Sequence, residues 1–112
     1  MKIKVPFRKG ILIREKWVNF EFNIAALEGA CSDLKIEFWE MSEADPYDFG
    51  LSVMYNAYVQ GCKSRYKRPK YKLAHAVVWN ENMSQESKKV YSECIAELMG
   101  RLRNGVKSEK KK

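Results

Sequence analysis

Apolar and polar residues alternate at the start of the chain, a pattern that predicts β-strands over the first 22 residues. Ile3, Val5 and Phe7 are each separated by one residue, and one of the separating residues is Pro6. Proline has no amide hydrogen to donate to a neighbouring strand. The first strand should therefore be short or lie at a sheet edge, and Lys9 and Gly10 supply a turn after it.

Two further apolar stretches predict a hairpin later in the same region. Residues 11–14 and 17–22 flank the polar pair Glu15 and Lys16, so the hairpin turn is expected at that pair. The second arm alternates with period two at Val18, Phe20 and Phe22.

From Asn23 onward the apolar residues recur every three or four positions, which predicts helices. Asn23 is a good N-cap for a helix that should end near residues 33–35, and residues 36–41 read as a short second helix or an extended bridge. Asp45 and Pro46 form the clearest helix start, because Asp caps free amides and Pro fits the first helical position. The face expected to be apolar carries Tyr47, Leu51, Met54, Tyr55, Tyr58 and Cys62.

The second half of the chain predicts a loop followed by two helices. The basic stretch through Pro69 is expected to be a loop, and residues 73–79 a short buried helix that residues 80–83 break. Ser84 should cap a final helix, which Asn104 and Gly105 should end. Its apolar stripe is Tyr91, Cys94, Ile95, Leu98 and Leu102.

Together these elements predict an α+β, mostly α-helical fold, in which an N-terminal β-hairpin precedes a compact array of four to five short helices. We expect one domain over residues 1–105, with a hairpin region at 1–22 and a helical region at 23–105. The Lys-rich residues 106–112 are expected to be a disordered tail.

Composition excludes several classes of protein. A chain of 112 residues with 46% hydrophobic residues suits one small globular domain. Its longest apolar runs are far shorter than the roughly 20 residues of a membrane span, and its start does not resemble a signal peptide. Cys31, Cys62 and Cys94 are widely spaced among apolar neighbours, so we expect buried, reduced thiols in a cytoplasmic protein without a metal site or cofactor.

The net charge of +7 is unevenly distributed along the chain. Residues 1–56 contain seven Lys and Arg against nine Asp and Glu, whereas residues 57–112 contain fourteen against five. The excess lies in one basic segment, residues 63–72, and in the C-terminal tail. Such an uneven charge distribution gives information about binding partners rather than about the fold.

No pattern in the sequence indicates catalysis. His75 is the only histidine and lies among apolar residues, where a satisfied or half-buried helix residue is the better interpretation than a catalytic base. Glu37, Glu40 and Glu43 would share a helix face, and a solvated acidic face is the expected interpretation. Phosphate-binding glycine loops, zinc-helix motifs and nucleophile elbows are all absent from the sequence, so we expect no enzyme.

The basic segment has two interpretations. Cations interleaved with tyrosines are typical of proteins that bind single-stranded nucleic acid. The alternative is a solvated loop whose aromatic rings pack against the helices. The residues concerned are Lys63, Arg65, Tyr66, Lys67, Arg68, Lys70, Tyr71 and Lys72.

The number of aromatic residues also allows two interpretations. Three Trp, six Tyr and five Phe exceed what a small core buries easily. They either fill a tightly packed core or leave an exposed patch for self-association or for a partner.

The order of these segments resembles phage tail assembly chaperones. A short hairpin runs into Phe20-Glu21-Phe22-Asn23-Ile24-Ala25-Ala26-Leu27-Glu28, Asp45-Pro46-Tyr47-Asp48 then begins a helix, and residues 51–58 resemble its aliphatic and Tyr-rich core. The resemblance covers roughly residues 10–103 and implies a non-enzymatic protein of a long-tailed phage or prophage, acting in the host bacterial cytoplasm. It also implies tape measure and tail tube proteins as partners, with no membrane involved.

By that analogy, partner binding is expected on apolar or aromatic positions of the hairpin and helices. The candidates are Trp17, Phe20, Tyr55 and Tyr58. Two other functions remain open: a small basic nucleic-acid-binding protein that uses residues 63–72, and a structural subunit of a phage particle that assembles through its hairpin edge.

Overall fold

The computed structural model describes the backbone of residues 1–110 and the side chains of residues 1–102. Two antiparallel strands precede a series of helices, so the fold is α+β and mostly helical, as the sequence predicts. The elements are β1 (Lys2–Lys9), β2 (Leu12–Asn19), α1 (Ile24–Leu34), a 3₁₀ helix (Phe38–Glu43), α2 (Pro46–Ser64), α3 (Leu73–Asn82) and α4 (Gln85–Lys110).

The hairpin turn lies at Gly10 and Ile11, because β1 pairs with β2 from Lys2 opposite Asn19 to Lys9 opposite Leu12. Gly10 has φ +63°, whereas Ile11 has no positive φ, which fits a two-residue type II′ turn. The predicted turn at Glu15 and Lys16 is therefore wrong. Both residues lie in the middle of β2, where the register of the whole hairpin overrides their polar character.

One face of the hairpin builds the core. Ile3, Val5 and Val18 are buried, and the side chains of the neighbouring Lys2 and Lys4 are exposed. The alternation predicted for β1 is confirmed from Lys2 to Val5, because successive side chains of a strand point to opposite faces. It fails at Pro6, which is buried although it lies between Val5 and Phe7.

Capping side chains determine where α1 and α2 begin. Asn23 accepts a hydrogen bond from the Ala26 amide at 2.9 Å, and Asp45 accepts bonds from the amides of Tyr47 and Asp48 at 2.8 and 3.2 Å. Both predicted helix starts are confirmed. Of the apolar face predicted for α2, Met54 and Tyr58 are buried and Leu51, Tyr55 and Cys62 are half-buried, but Tyr47 is exposed because it lies in the first turn.

The C-terminal helices also differ from the prediction at their ends. α3 continues through residues 80–82 and ends before Met83. Ser84 caps α4 by accepting a bond from the Ser87 amide at 3.2 Å, as predicted. The backbone of α4 is helical through Asn104 and Gly105 to Lys110, so these residues do not end the helix. The disordered tail expected over residues 106–112 stays a prediction. Residues 111–112 lie outside the described residues.

Two groups of buried side chains join the hairpin to the helices. Trp79 of α3 is surrounded by rings of the hairpin, of α2 and of the basic segment, with centroid distances of 5.6–5.8 Å to Phe7, Phe20, Tyr58 and Tyr71. A second group joins α1, α2 and α4 through Leu27, Ala30, Val53 and Leu98. Most aromatic side chains thus fill a core.

Candidate functional site

The end of the hairpin exposes three consecutive apolar side chains. Ile11 is fully exposed, and Leu12 and Ile13 are 58% and 50% exposed. We call these three residues the hairpin tip. Exposed apolar residues that follow one another in sequence are unusual in a small domain, and they indicate a binding surface rather than a core.

The two edges of the hairpin differ in accessibility. The β1 edge is blocked at its middle, because Pro6 has no amide hydrogen and the Lys4 carbonyl accepts a 2.8 Å hydrogen bond from the Ser87 hydroxyl. Met1 and Phe20 exchange hydrogen bonds of 2.7 and 2.9 Å. Residue pairs that exchange hydrogen bonds alternate with pairs that do not along two antiparallel strands. Counting from Met1 and Phe20, the pairs that contain Ile13 and Glu15 do not exchange hydrogen bonds, so the backbone groups of these two residues point away from β1. The β2 edge next to the tip is therefore open.

Among the predicted partner-binding residues, Trp17 is available to a partner. Its side chain is 64% exposed, and the Lys4 ammonium lies 5.8 Å from the ring centroid. Tyr55 is half-buried, and its hydroxyl donates a 3.1 Å bond to the Tyr71 carbonyl. Tyr55 therefore ties two parts of the chain together and offers a partner little surface.

The prediction that Phe20 and Tyr58 bind a partner is wrong, because both side chains are buried in the aromatic core. The Phe20 ring packs on Trp79 at 5.7 Å, and the Tyr58 ring packs on Trp79 at 5.6 Å. Neither side chain can contact a partner without unfolding this core. The sequence signal that suggested them, an aromatic residue in an amphipathic element, does not distinguish core from surface.

Tyr58 instead holds the basic segment. Its hydroxyl accepts hydrogen bonds from the amides of Lys70 and Tyr71 at 2.7 and 3.0 Å. Desolvation by burial is the main cause that raises the pKa of Tyr58, so the hydroxyl stays neutral. The Tyr71 ring packs on Phe7 and Tyr58, at 4.7 and 5.6 Å, which removes Tyr71 from the candidate nucleic-acid contacts.

The other tyrosine of the segment behaves in the opposite way. Tyr66 is 99% exposed and has φ +56°, a left-handed conformation that non-glycine residues rarely adopt. Its amide donates to the Lys63 carbonyl at 3.1 Å and the Lys67 amide donates to the Cys62 carbonyl at 2.9 Å, which together close α2 with a Schellman motif. The helix end thus holds Tyr66 outward.

A groove of about 220 Å³ separates β2 from the basic segment. We call it the basic groove, because β2 contributes one cation, the basic segment contributes four, and no carboxylate is among the residues that line it. The cations are Lys16, Arg65, Lys67, Arg68 and Lys70. Lys63 and Lys72 are exposed outside the groove. Sequence reasoning missed Lys16, because only the fold brings the middle of β2 beside residues 65–70.

Two of the residues considered for catalysis, His75 and Glu40, each accept a hydrogen bond from a nearby backbone amide. His75 is exposed, and its Nδ1 accepts a 3.0 Å hydrogen bond from the Lys72 amide. Of the two alternatives expected for this residue, satisfied or half-buried, the structure shows the first. Glu40 accepts a 3.0 Å bond from the Glu37 amide at the start of the 3₁₀ helix. Within the described part of the chain, no three His, Cys, Asp or Glu residues are grouped as metal ligands would be.

The cysteines are free, and their burial differs. Cys31 is buried as expected, whereas Cys62 and Cys94 are only half-buried. Desolvation is the largest cause that raises the pKa values of Cys31 and Cys94, and nearby Glu37 and Glu97 respectively raise them further. The thiols of Cys31 and Cys94 are therefore less reactive than an ordinary exposed thiol.

No protein-family model, curated protein or solved structure matches this chain. The hairpin tip and the basic groove are the two surfaces of the described residues that could bind a partner. Over residues 1–110, no helix is both long enough and apolar enough to cross a membrane.

Proposed function

We propose that this protein is a non-enzymatic tail assembly chaperone of a long-tailed phage or prophage, acting in the host cytoplasm. In this role it binds tape measure and tail tube proteins before the tube assembles. The order of segments supports the proposal, because a hairpin leads into an Asn-capped helix and a second helix begins at Asp45 and Pro46. The observation that carries the proposal is the exposed hairpin tip beside the open β2 edge.

The tip suits a partner that presents an extended apolar segment. Burying Ile11, Leu12 and Ile13 against such a segment removes apolar surface from water. The outward backbone groups of Ile13 and Glu15 can pair with the segment as an added strand. A subunit that is waiting to polymerise exposes this kind of surface, and covering it prevents premature association.

Co-expression tests the proposal directly. The gene should lie in a phage or prophage region, and the tape measure and tail tube proteins encoded there are the partners to co-express. We expect the chain to co-purify with at least one of them as a soluble complex. A gene outside any phage region, or failure to co-purify with either partner, would contradict the proposal.

A matched pair of variants tests the surface. Ile11→Ser with Leu12→Ser removes apolar area at the tip, and Ile24→Ser with Leu73→Ser removes the same two residue types from exposed positions on α1 and α3. We expect only the tip variant to lose the complex. Light scattering of the isolated protein shows whether the tip also mediates self-association, which the tip variant should then abolish.

A further inference from the structure

The basic groove concentrates cations that the protein does not neutralise. Within residues 1–102 the one ion pair joins Arg101 and Glu97, so the cations lining the groove have no carboxylate partner. Unpaired charges of one sign around a concave surface raise the local concentration of a polyanion. The groove therefore favours a ligand with several negative charges along its length.

An exposed aromatic ring lies next to these cations. Tyr66 lies in the chain between two residues that line the groove, Arg65 and Lys67. The Tyr66 ring has almost no contact with the rest of the chain, because it is 99% exposed. Cations beside free aromatic faces are the combination that binds single-stranded nucleic acid, in which unpaired bases can stack.

The groove is also formed in advance of binding. Tyr58 fixes the amides of Lys70 and Tyr71, and the Tyr55 hydroxyl fixes the Tyr71 carbonyl. Anchoring at both sides of the same peptide region lowers the conformational entropy that binding must remove.

We propose that the basic groove binds single-stranded nucleic acid, with Arg65 and Lys67 contacting phosphates and Tyr66 stacking on a base. A double helix is disfavoured, because its bases are already paired and stacked and offer no free face to the exposed Tyr66 ring. An acidic protein segment would use the same cations but would leave the Tyr66 ring unused. This binding is independent of the hairpin tip.

Fluorescence anisotropy with a fluorescein-labelled 20-residue oligothymidylate tests the proposal. We expect binding at 20 mM NaCl that weakens with salt. The slope of log affinity against log salt should be about −2 to −3.5, since Arg65, Lys67 and one to three further groove cations should each contact a phosphate and contribute about −0.7 on a single strand. No binding at 20 mM NaCl overturns the proposal.

A charge-matched pair separates the groove from net charge. Arg65→Glu with Lys67→Glu reverses two groove cations, and Lys88→Glu with Lys89→Glu reverses two exposed cations on α4. We expect more than tenfold weaker binding from the first and less than twofold from the second, with circular dichroism confirming that both fold. Equal losses would mean that binding follows net charge alone and would overturn the groove assignment.

Tyr66 distinguishes nucleic acid from an acidic protein segment. Tyr66→Ala should weaken oligothymidylate binding about fivefold or more, whereas Tyr66→Phe should retain it. A 12-residue polyglutamate peptide that binds more tightly than the oligonucleotide, unaffected by Tyr66→Ala, overturns the proposal. Ile11→Ser with Leu12→Ser should leave oligonucleotide binding unchanged, so failure here is distinguishable from failure of the proposed chaperone function.

Discussion

At the scale of single residues, Tyr58 shows how one side chain serves both the core and a surface. Its ring belongs to the aromatic group around Trp79, and its hydroxyl accepts the amide hydrogens of Lys70 and Tyr71. The sequence marks Tyr58 only as an apolar helix position. Its second role depends on where the basic segment returns to the helix.

Replacing Tyr58 with Phe should therefore destabilise the conformation of the basic segment more than the packing of the core. The ring remains, but two amides lose their acceptor, and we expect the free energy of unfolding to fall by about 1–2 kcal/mol. Hydrogen exchange at Lys70 and Tyr71 should accelerate. Tyr47→Phe is the control, since its hydroxyl bond to Glu81 is exposed and its loss should change stability by less than about 0.5 kcal/mol. Equal effects of the two variants would contradict this assignment.

Tyr91 makes stability depend on alkaline pH. Its hydroxyl donates to the Gly50 carbonyl, and burial raises the pKa of Tyr91 well above its ordinary value of 10.0. Above about pH 10 the unfolded chain loses a proton that the folded protein keeps. The stability that Tyr91 contributes is thus complete below that pH and is lost as the pH rises.

Urea unfolding at pH 8 and pH 11 should reveal this loss. We expect the free energy of unfolding to fall with a slope of up to about 1.4 kcal/mol per pH unit for this group above its unfolded pKa. Tyr91→Phe should be less stable at pH 8, because the hydrogen bond is lost, but should lose less on going to pH 11. A variant that loses as much as the wild-type protein would show that other groups cause the dependence.

At the scale of elements, close backbone approach fixes α2 against β2. A Cβ atom at Gly61 would lie 2.6 Å from the Asn19 carbonyl oxygen, which belongs to the backbone at the end of β2. Glycine at this position lets helix and strand meet. The contact also sets the distance between β2 and the residues that follow α2, which is the width of the basic groove.

Gly61→Ala should destabilise the protein although alanine favours helices. The added methyl forces α2 away from Asn19, and we expect the free energy of unfolding to fall by about 1–3 kcal/mol. Gly100→Ala in α4 is the matched control, because a Cβ there meets no atom within 4 Å. It should raise stability by about 0.5–1 kcal/mol. Chemical denaturation measures both, and a stabilised Gly61→Ala would contradict the contact.

At the scale of the whole molecule, one aromatic group unites the parts that the sequence presents separately. Trp79 contacts Phe7 and Phe20 from the N-terminal region, Tyr58 from α2 and Tyr71 from the basic segment. The hairpin therefore depends on the helices for its buried face. A two-stranded sheet alone is barely stable in water.

Unfolding should consequently be a single transition. A variant with Trp17→Phe and Trp39→Phe removes the two exposed tryptophans and leaves buried Trp79 as the reporter of the core. We expect its fluorescence and the helical circular dichroism signal to change at the same urea concentration. Separate midpoints would show that the hairpin region and the helices are independent units.

Local patterns determined much of the fold. Asn23, Asp45 and Ser84 were correctly predicted as helix caps, because capping depends on side chains only two or three residues away. Glu15 and Lys16 were wrongly predicted as a turn, and Gly105 was wrongly predicted to end a helix. A polar residue or a glycine allows a strand or helix to end at its position but does not require it to end there.

The sequence by itself determined the fold class, the helix starts and the uneven charge, all of which follow from neighbouring residues. Only the tertiary structure decided which aromatic rings are exposed: it buried Phe20 and Tyr58 and left Trp17 and Tyr66 in solvent. It alone also placed Lys16 beside the basic segment. The physical reason is that burial and charge clustering depend on contacts between residues distant in sequence, which no local pattern records.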